Sequence, residues 1–340
     1  MVIHQTAVRT LNDDRQGFDM PSVPRGARGA IITGWGTALP DKVVTNDDLR
    51  ATGLDTNDEW IRERTGIVER RIGGTTASLS VESGRAAIVM AGVDPLAIDA
   101  LVLATSTPVR TVPGTSPRIQ AELGLACGAF DLNAACSGFT YAMVVAHGLI
   151  AMGSERVLVI GTDTLSTITD WTDRNTAILF ADGSGAVVLE AVEGRGQMLG
   201  WDLDADGTAE GILYAEVGGT IHMDGKEVFR RAVRIMVDSA EKSMKAAGVQ
   251  ADDIALVVPH QANVRIIKAA CDRLGIGMDR AAVVLDRIGN SSSATIPLAL
   301  ADALDRGRVK TGDLVLLVGF GAGMTAASTV IEWAGAPHDD

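Results

Sequence analysis

The sequence predicts an α/β protein built from two similar halves. Short apolar, β-branched runs alternate with longer stretches of helical periodicity, which is typical of α/β folds. The chain has 340 residues, about twice a common domain length, of which 46% are hydrophobic, 21% are charged and 38 are glycines. Related motifs also recur at a nearly constant spacing. We therefore expect a turn-rich α/β fold with a largely parallel sheet and a sizeable core.

The predicted elements follow in chain order. Six apolar runs are typical of buried strands and lie at residues 30–33, 101–104, 157–160, 186–189, 255–258 and 314–318. Four longer stretches are typical of helices and lie at residues 78–92, 137–152, 228–247 and 262–274. Residues 1–28 carry several charges and no apolar run, which predicts a flexible N-terminal leader rather than a signal peptide.

Matches between distant segments indicate an internal duplication. Three pairs of segments share one order and an offset of 155 to 157 residues: the strands at Leu101 and Leu256, the runs 131–138 and 286–293, and the strands at Val157 and Leu314. We place the N-terminal half at residues 29–200 and the C-terminal half at residues 201–340. If the halves are copies, the helix starts at Cys136 and Ser291 face each other across a pseudo-dyad, where sites tend to form.

Charge and composition exclude several classes of partner. A net charge of −13 argues against a nucleic-acid surface, and no apolar run is long enough for a transmembrane helix. Three cysteines are an odd number, which fits a reducing compartment. We therefore expect a soluble cytoplasmic protein that binds neither nucleic acid nor membrane. An anionic ligand would need a local basic patch, and two candidates are Arg62, Arg64, Arg70 and Arg71, and Arg230, Arg231, Arg234, Arg265 and Lys268.

Cys136 is the candidate nucleophile. It lies directly before an apolar helix, where the positive helix end and the unpaired N–H groups stabilise a thiolate. Small neighbouring residues leave room for a substrate. Cys271 lies on an apolar helical face and Cys127 in a loop bounded by glycine, so we expect both to be structural.

His260 and Asn290 are the candidate polar partners. His260 follows a buried strand, at the carboxyl end where α/β proteins place their sites. Asn290 precedes the second of the two repeat-related helices, where it could be a helix cap or a catalytic group. Together with Cys136 these residues suggest nucleophilic acyl chemistry. The other histidines are expected to have no part in it: His4, His147, His222 and His338.

Two glycine patterns have different meanings. Gly34-Trp35-Gly36 follows the first strand, but Leu39 stands where a dinucleotide fingerprint needs its third glycine, so we interpret it as a tight turn. The run Gly319–Gly323 follows the last strand and could offer backbone N–H groups to an oxyanion.

Five segments resemble, in order, the motifs of the β-ketoacyl-ACP synthase III family. The run Asn57–Ile67 looks like its CoA-binding signature, and the other four segments are residues 130–139, 258–263, 289–293 and 319–323. The resemblance covers about residues 30–335. It implies a thiolase-like fold, a duplicated five-layered αβαβα architecture with two pseudo-symmetric halves, and a homodimer.

The resemblance also implies a decarboxylative Claisen condensation. Cys136 would take an acyl group from acyl-CoA as a thioester, and malonyl-ACP would then lose CO₂ and attack it. The product would be a 3-oxoacyl-ACP that initiates fatty-acid or polyketide synthesis. His260 and Asn290 would donate hydrogen bonds to the malonyl thioester oxygen, and the backbone N–H groups of Cys136 and Ala322 would form the oxyanion hole. Acyl-CoA is a substrate here, and no cofactor or metal is implied.

Binding residues follow from the same resemblance. Trp60 would stack on the adenine of CoA, Arg64 and Arg174 would meet its phosphates, and Thr65 and Asn263 complete that set. The acidic carrier protein would dock along Gln261, Ala262, Asn263, Val264 and Arg265. Val112 stands where some members carry a bulky Phe that closes the acyl pocket from the partner subunit. A smaller side chain there favours longer or branched primers.

Other functions are weighed against condensation. A related enzyme of the same family could pass the acyl group from Cys136 to an alcohol or amine. Asn290 disfavours this acyltransferase hypothesis, because an asparagine donor serves the activation of malonyl. A 3-hydroxy-3-methylglutaryl synthase would need a glutamate base, which we do not find. A binding scaffold would require the loss of one of the three candidate catalytic residues. The chain between Trp201 and His222 is shorter than the family pattern, which predicts a more open pocket rim.

Overall fold

The computed structural model describes residues 28–335. The predicted leader therefore lies outside the described residues except for Arg28, which pairs with Glu155 and donates to the Gly153 carbonyl at 3.2 Å. Within the described part, no helix is both long and apolar enough to cross a membrane.

Ten α-helices and thirteen strands lie within the described residues, joined by loops and short 3₁₀ turns. The strands are β1 Gly29–Ala38, β2 Val43–Thr45, β3 Glu69–Arg71, β4 Ala100–Ala104, β5 Gly128–Leu132, β6 Arg156–Thr164, β7 Asp182–Val192, β8 Met198–Asp204, β9 Leu213–Ala215, β10 Ile221–Met223, β11 Ile254–Pro259, β12 Leu314–Gly321 and β13 Thr325–Glu332. The helices are α1 Asn46–Ala51, α2 Asp58–Thr65, α3 Thr76–Ala91, α4 Ser116–Leu123, α5 Gly138–Ala151, α6 Arg174–Ala177, α7 Gly225–Ala247, α8 Val264–Leu274, α9 Leu285–Ile288 and α10 Thr295–Asp305. Each predicted strand and helix is confirmed within a few residues.

The two main sheets repeat one strand order. The first runs β1-β7-β6-β4-β5 and the second runs β8-β13-β12-β11. The strands of the second sheet therefore correspond, in order, to β1, β7, β6 and β4 of the first sheet. A single parallel bridge between Val257 and Ala281 lies at the place that β5 occupies in the first sheet. This shared order confirms the predicted duplication.

The layers alternate between helices and sheets. Helices α3 and α4 cover the outer face of the first sheet, and α7 and α8 cover the outer face of the second. Helices α5 and α10 lie between the sheets and are largely buried, with Phe139 and Met143 of α5 and Ile296 of α10 in one shared core. A helix that exposes little surface to solvent is apolar on most of its faces. The five-layered αβαβα order is therefore confirmed.

The prediction of a largely parallel sheet is wrong, because both sheets are mixed. Strands β4, β5 and β6 pair in parallel, as do β11 and β12, but β7 is antiparallel to both of its neighbours, and so is β13. A three-residue turn joins β12 to β13, and such a short link permits only an antiparallel pair. Gly34 and Gly36 also lie inside β1, packed on α3, and do not form the predicted tight turn.

The chain passes from the first sheet to the second between β7 and β8. The predicted division at residue 200 falls inside β8, which pairs with β13 in the second sheet. Two small ribbons lie outside the layers: β2 pairs with β3 beside α1 and α2, and β9 pairs with β10 before α7. These ribbons and their neighbouring helices surround the site described below.

Equivalent turns begin the two central helices. The turn Ala135–Ser137 precedes α5 and the turn Ser292–Ala294 precedes α10. Each begins with a left-handed residue, Ala135 at φ 48° and Ser292 at φ 50°, so the turns repeat at an offset of 157 residues. The counterpart of Cys136 is consequently Ser293, two residues beyond the predicted Ser291.

Candidate active site

A cavity of about 690 Å³ runs from a basic, exposed opening to a buried polar floor. Arg64, Arg265 and the half-buried Trp60 lie at the opening. Cys136, His260, Asn290 and Phe320 lie at the floor, together with apolar side chains of the β9–β10 ribbon. The structure therefore brings the three predicted catalytic residues to one end of one cavity.

The end of β12 fixes the backbone at Cys136. A Cβ placed on Gly321 would lie 2.6 Å from the Cys136 backbone nitrogen, and one on Gly319 would lie 3.3 Å from Cα of Ser137. Only glycine permits an approach this close at Gly321. Ala322, the residue that follows, is thereby held beside the turn of the candidate nucleophile.

The surroundings of Cys136 act on its thiol in opposite directions. Burial raises the pKa of the Cys136 thiol to about 12, which outweighs the lowering by the Ser292 hydroxyl, and the Asp163 carboxylate adds to the rise. Cys136 lies in the turn before α5, and loss of hydration there opposes the stabilisation of a thiolate that a place before a helix favours.

His260 is buried and neutral. It follows β11, and its Nδ1 lies 2.6 Å from Oγ1 of Thr295. The Phe320 ring meets the imidazole edge-on, with centroids 5.4 Å apart. Burial lowers the pKa of His260 to about 3, so the imidazole carries no charge at neutral pH.

Two backbone hydrogen bonds and one side-chain hydrogen bond hold Asn290 in place. Its backbone N–H donates to the Leu179 carbonyl and its carbonyl accepts from the Ala181 N–H, both at 2.9 Å. The side-chain Oδ1 accepts the Ser292 N–H at 2.9 Å. Because Oδ1 is engaged in this way, Nδ2 is the end of the amide that can donate into the cavity. The preceding Gly289 is left-handed at φ 69°, which glycine tolerates.

Arg70 is a structural residue, although the sequence places it in a basic patch. It is fully buried, and its guanidinium donates to the Val44 and Ile178 carbonyls and to Oδ1 of Asn46 at 2.8–3.1 Å. Burial lowers the pKa of Arg70 to about 10. Arg70 thus ties the β2–β3 ribbon to the segment that supports Asn290, and it cannot meet a ligand.

Asp163 joins the two halves beneath the site. One carboxylate oxygen accepts from Thr105, Ser106 and Thr107 at 2.7–3.1 Å. The other accepts the N–H and the hydroxyl of Ser293 at 3.0 and 2.7 Å. This fully buried residue was not among the candidates, although a polar side chain late in a buried strand is a signal that could have identified it. A buried carboxylate with this many donors stays in place and orients its partners.

The CoA-binding candidates lie together at the cavity opening. The guanidinium groups of Arg64 and Arg174 lie 4.7 and 4.9 Å from the centre of the Trp60 ring. Asn263 caps α8 and donates to the Arg64 carbonyl at 2.9 Å. Thr65 lines the cavity, while its hydroxyl bonds within α2 and to the Ile67 N–H. Three polar residues that line the cavity were not among the candidates: Asn175, Asp224 and Lys226.

The second basic patch is largely neutralised by carboxylates. Four of its members take part in ion pairs: Arg230 and Arg231 with Glu227, Arg234 with Asp238, and Lys268 with Asp272. Arg265 is exposed and lies over the Phe229 ring at 5.4 Å. In the first patch, Arg62 pairs with Asp58 and Arg71 with Glu69.

Gln261 does not belong to a docking surface. It is fully buried and bonds to the Pro259 and Ala282 carbonyls and to the Val284 N–H. The predicted segment is accessible only from Ala262 onward, because Ala262, Asn263 and Val264 are half-buried and Arg265 is exposed.

The remaining candidates lie away from the cavity floor. Val112 is 82% exposed and does not line the cavity of its own chain. Cys271 is buried, with its pKa raised by burial to about 11, and Cys127 is half-buried beside the first sheet. His222 stacks on Tyr214 in the β9–β10 ribbon.

Buried neutral histidines predict acid sensitivity. Burial lowers the pKa of His147 to about 4, as it lowers that of His260, so the unfolded chain binds more protons between about pH 6.5 and 4. Stability therefore falls as the pH falls through this window, by about 2 kcal/mol per histidine between pH 7 and 5. We expect His147→Leu to remove about half of that loss, measured by urea unfolding at both pH values. An equal loss in wild type and variant would contradict this origin.

Comparisons with known proteins cover both halves. A family model described as 3-oxoacyl-[acyl-carrier-protein (ACP)] synthase III matches residues 130–207, and the model of its C-terminal part matches residues 244–333. The beta-ketoacyl-[acyl-carrier-protein] synthase III of Roseiflexus castenholzii (strain DSM 13941 / HLO8) is 45% identical over 328 residues, which cover 91% of this chain and 99% of that protein.

Solved structures give the same likeness. The crystal structure of 3-oxoacyl-[acyl-carrier-protein] synthase III from Aquifex aeolicus VF5 has a TM-score of 0.88 at 41% identity, covering 90% of this chain and 100% of that one. The priming β-ketosynthase from the R1128 polyketide biosynthetic pathway has a TM-score of 0.87 at 36% identity, covering 94% of this chain and 100% of that one. Both similarities cover at least nine tenths of this chain.

Proposed function

The chain belongs to the β-ketoacyl-[acyl-carrier-protein] synthase III family, and from this premise we propose how its residues divide the reaction. It is a condensing enzyme that transfers an acyl primer from acyl-CoA to Cys136 and joins it to malonyl-ACP. The observation that carries the assignment of roles is the meeting of Cys136, His260 and Asn290 at the floor of one cavity with Trp60 and Arg64 at its opening.

In the first step the Cys136 sulfur attacks the thioester carbonyl of acyl-CoA. The sulfur–carbon bond forms as the bond to the CoA sulfur breaks, and the thiol proton leaves with CoA as its thiol. The backbone N–H groups of Cys136 and Ala322 stabilise the charge on the carbonyl oxygen. Their placement is supported by the close packing of Gly321 on the Cys136 nitrogen. Donors that are fixed before the reaction need no reorganisation as charge develops.

In the second step malonyl-ACP loses CO₂ and its carbanion attacks the acyl group on Cys136. The carbon–carbon bond forms, the Cys136 thiolate leaves and takes up a proton, and 3-oxoacyl-ACP is released. Asn290 donates from Nδ2 to the malonyl thioester oxygen as enolate charge develops, with His260 beside it. Support comes from the engaged Oδ1 of Asn290, which leaves the amide hydrogens for the cavity.

Trp60 is proposed to stack on the adenine of CoA, between Arg64 and Arg174. Stacking on an aromatic ring contributes about 1–3 kcal/mol per base. We therefore expect Trp60→Ala to raise KM for acyl-CoA by about tenfold to hundredfold, while KM for malonyl-ACP, which carries no adenine, stays close to wild type. Steady-state kinetics with each substrate varied in turn measure both. An equal rise for both substrates would argue for a general distortion of the opening.

Arg265 is proposed to meet the acidic carrier protein, because it is the exposed basic member of the 262–265 segment and is not neutralised by a carboxylate among the described residues. We expect Arg265→Glu to raise KM for malonyl-ACP by about tenfold, since charge reversal at a docking rim slows association. Arg234→Glu makes the same change of charge on α7, where the residue already pairs with Asp238. An equal effect of the two variants would show a net-charge effect instead of docking.

The family also implies a homodimer, which we propose to form along β5. This strand is an edge of the first sheet, and Phe130 on it is 40% exposed. The exposed Val112 would then reach the acyl pocket of the partner, where its small side chain favours longer or branched primers. Sedimentation of the purified protein as a monomer would overturn this arrangement. The cytoplasmic location stays a prediction.

Intact mass spectrometry tests the whole scheme. The protein is mixed with acetyl-, isobutyryl- and longer acyl-CoAs and then chased with malonyl-ACP. We expect an acyl adduct on Cys136 that disappears as 3-oxoacyl-ACP forms, and the primer that loads fastest identifies the preferred chain. An adduct that survives the chase would favour transfer to an alcohol or amine acceptor. No adduct with any thioester would overturn both assignments.

A further inference from the structure

Two side-chain hydroxyls that the scheme above does not use lie between the two turns whose N–H groups are proposed to form the oxyanion hole. Oγ1 of Thr325 donates to the Ala134 carbonyl at 2.9 Å and lies 2.9 Å from Oγ of Ser137. Oγ of Ser137 donates to the Thr325 carbonyl at 3.1 Å. Ala134 lies two residues before Cys136, and Ser137 directly follows it. Thr325 therefore holds the backbone on both sides of the candidate nucleophile.

This hydroxyl pair, Ser137 and Thr325, makes the only hydrogen bonds between the two turns in the described part of the chain. The turn Ala135–Ser137 contains Cys136, and the turn Ala322–Met324 is directly followed by Thr325. No backbone hydrogen bond connects the two turns among the described residues. The close approach of Gly321 to the Cys136 nitrogen leaves no room for a side chain but forms no bond. The relative position of the turns therefore depends on packing and on the hydroxyl pair.

Both turns contain a left-handed residue next to the hydroxyl pair. Ala135 has φ 48° and Met324 has φ 46°. A left-handed residue other than glycine is unfavourable by itself and persists only where its surroundings enforce it. Ala134 precedes the first of these residues and Thr325 follows the second, so the hydrogen bond between them restrains both turns. Ser137 is fully buried and Thr325 is half-buried, so water competes little with these bonds.

We propose that Thr325 and Ser137 are positioning residues that fix the distance between the N–H groups of Cys136 and Ala322. This inference rests on the proposed function and deepens it. When the sulfur attacks the acyl carbon, the carbonyl oxygen gains a negative charge, and both N–H groups must lie within hydrogen-bond distance of it at once. Neither hydroxyl takes part in making or breaking a bond, because the hydrogen of each is donated to a backbone carbonyl.

The oxyanion hole serves two steps of the scheme but not the loss of CO₂. The acyl carbonyl gains charge when Cys136 attacks it, and again when the malonyl carbanion attacks the acyl group on Cys136. Decarboxylation instead places charge on the malonyl thioester oxygen beside Asn290. Alkylation of the Cys136 thiol by iodoacetamide forms no oxyanion at all. The four rates therefore distinguish the oxyanion hole from the reactivity of the thiol and from the malonyl site.

Thr325→Val removes the hydroxyl and keeps the branched shape of the side chain. We expect it to slow acyl-adduct formation and condensation by about tenfold or more, since misplacing a reacting group by about 1 Å costs about 10²-fold. Alkylation by iodoacetamide, followed by mass spectrometry of the peptide that contains Cys136, should keep the wild-type rate, and so should decarboxylation of malonyl-ACP. Thr325→Ser retains the hydroxyl and should acylate at close to the wild-type rate.

Thr329 provides a matched control on the same strand. Its fully buried hydroxyl donates to the Gly200 carbonyl at 3.1 Å, within the second sheet. Thr329→Val therefore removes one buried hydrogen bond outside both turns and should leave all four rates unchanged. Ser137→Ala removes the other member of the hydroxyl pair and tests the inference even where Thr325→Val does not fold. We expect the same pattern with a smaller loss, because the bond from Thr325 to Ala134 remains.

Three results would overturn the inference. The first is acylation at the wild-type rate in folded Thr325→Val or in Ser137→Ala. The second is equal slowing of acylation and alkylation, which would show that the hydroxyl pair acts on the thiol. The third is an equal loss of acylation in Thr329→Val, which would show a general effect on stability. Failure of the proposed function is a separate outcome, because the wild-type protein would then form no 3-oxoacyl-ACP.

Discussion

Replacing Cys136 by alanine is expected to abolish the acyl adduct and to reduce 3-oxoacyl-ACP formation by at least about 10⁴-fold. Loss of a covalent nucleophile removes the pathway itself, and residual binding and oxyanion stabilisation supply only a small part of the rate. The change removes one sulfur from a half-buried position between the two sheets, so the fold should survive. Intact mass and product formation from acyl-CoA and malonyl-ACP measure the two losses.

The chain supplies its own controls for this experiment. Cys127→Ala and Cys271→Ala remove thiols that lie away from the cavity, one half-buried and one buried. Both variants should acylate and condense at wild-type rates. Condensation at the wild-type rate by Cys136→Ala would show that the nucleophile is misassigned.

Replacing Asn290 is expected to separate the two half-reactions. Asn290→Ala should form the acyl adduct normally but lose about 10²- to 10³-fold in malonyl-ACP decarboxylation and condensation, the usual cost of one lost donor to a developing oxyanion. Asn290→Asp sharpens the test because it keeps an oxygen that can accept the Ser292 N–H, while it replaces the Nδ2 donor by a second acceptor oxygen and adds a carboxylate charge. Both variants should show the same separation if the donor is what matters.

Asn133 is the matched control for Asn290. It occupies the equivalent place in the first half, and its Oδ1 accepts the Ala135 N–H at 3.0 Å in the same local turn. Asn133→Ala removes that turn bond without removing a donor at the cavity floor, so it should not separate the half-reactions. An Asn290→Ala protein that lost self-acylation but kept decarboxylation would contradict the proposed roles.

Hydrophobic pattern was sufficient to predict the buried framework but not the direction of the strands. The six apolar runs lie in β1, β4, β6, β7, β11 and β12, because a strand covered on both faces is apolar along its whole length. Strand β13 has the sequence TAASTVIE, whose small and polar residues face neighbouring strands and helices and carry no apolar signal. Its pairing, and hence the mixed sheet, depends on a short turn whose geometry composition does not reveal.

The meeting of the candidate catalytic residues in one cavity could be predicted because each lies where a buried element ends. Cys136, His260 and Asn290 all follow or precede such an element, and their side-chain chemistry is distinctive. Arg70 and Asp163 could not be assigned, since their roles depend on carbonyls and hydroxyls that only the tertiary structure brings near. An arginine next to other arginines in the sequence can bind a ligand or can be buried and hydrogen-bonded within the protein. The groups that surround it in the tertiary structure decide between the two roles.

The matching turns at the two central helices also place chemically different side chains on one repeated backbone. Cys136 and Ser293 occupy equivalent positions, as do Asn133 and Asn290. The two asparagines make the same local turn bond, whereas the hydroxyl of Ser293 donates to the Asp163 carboxylate and Cys136 lines the cavity. The chemical difference between the two halves therefore lies in the side chains, because the backbone of the two turns is the same.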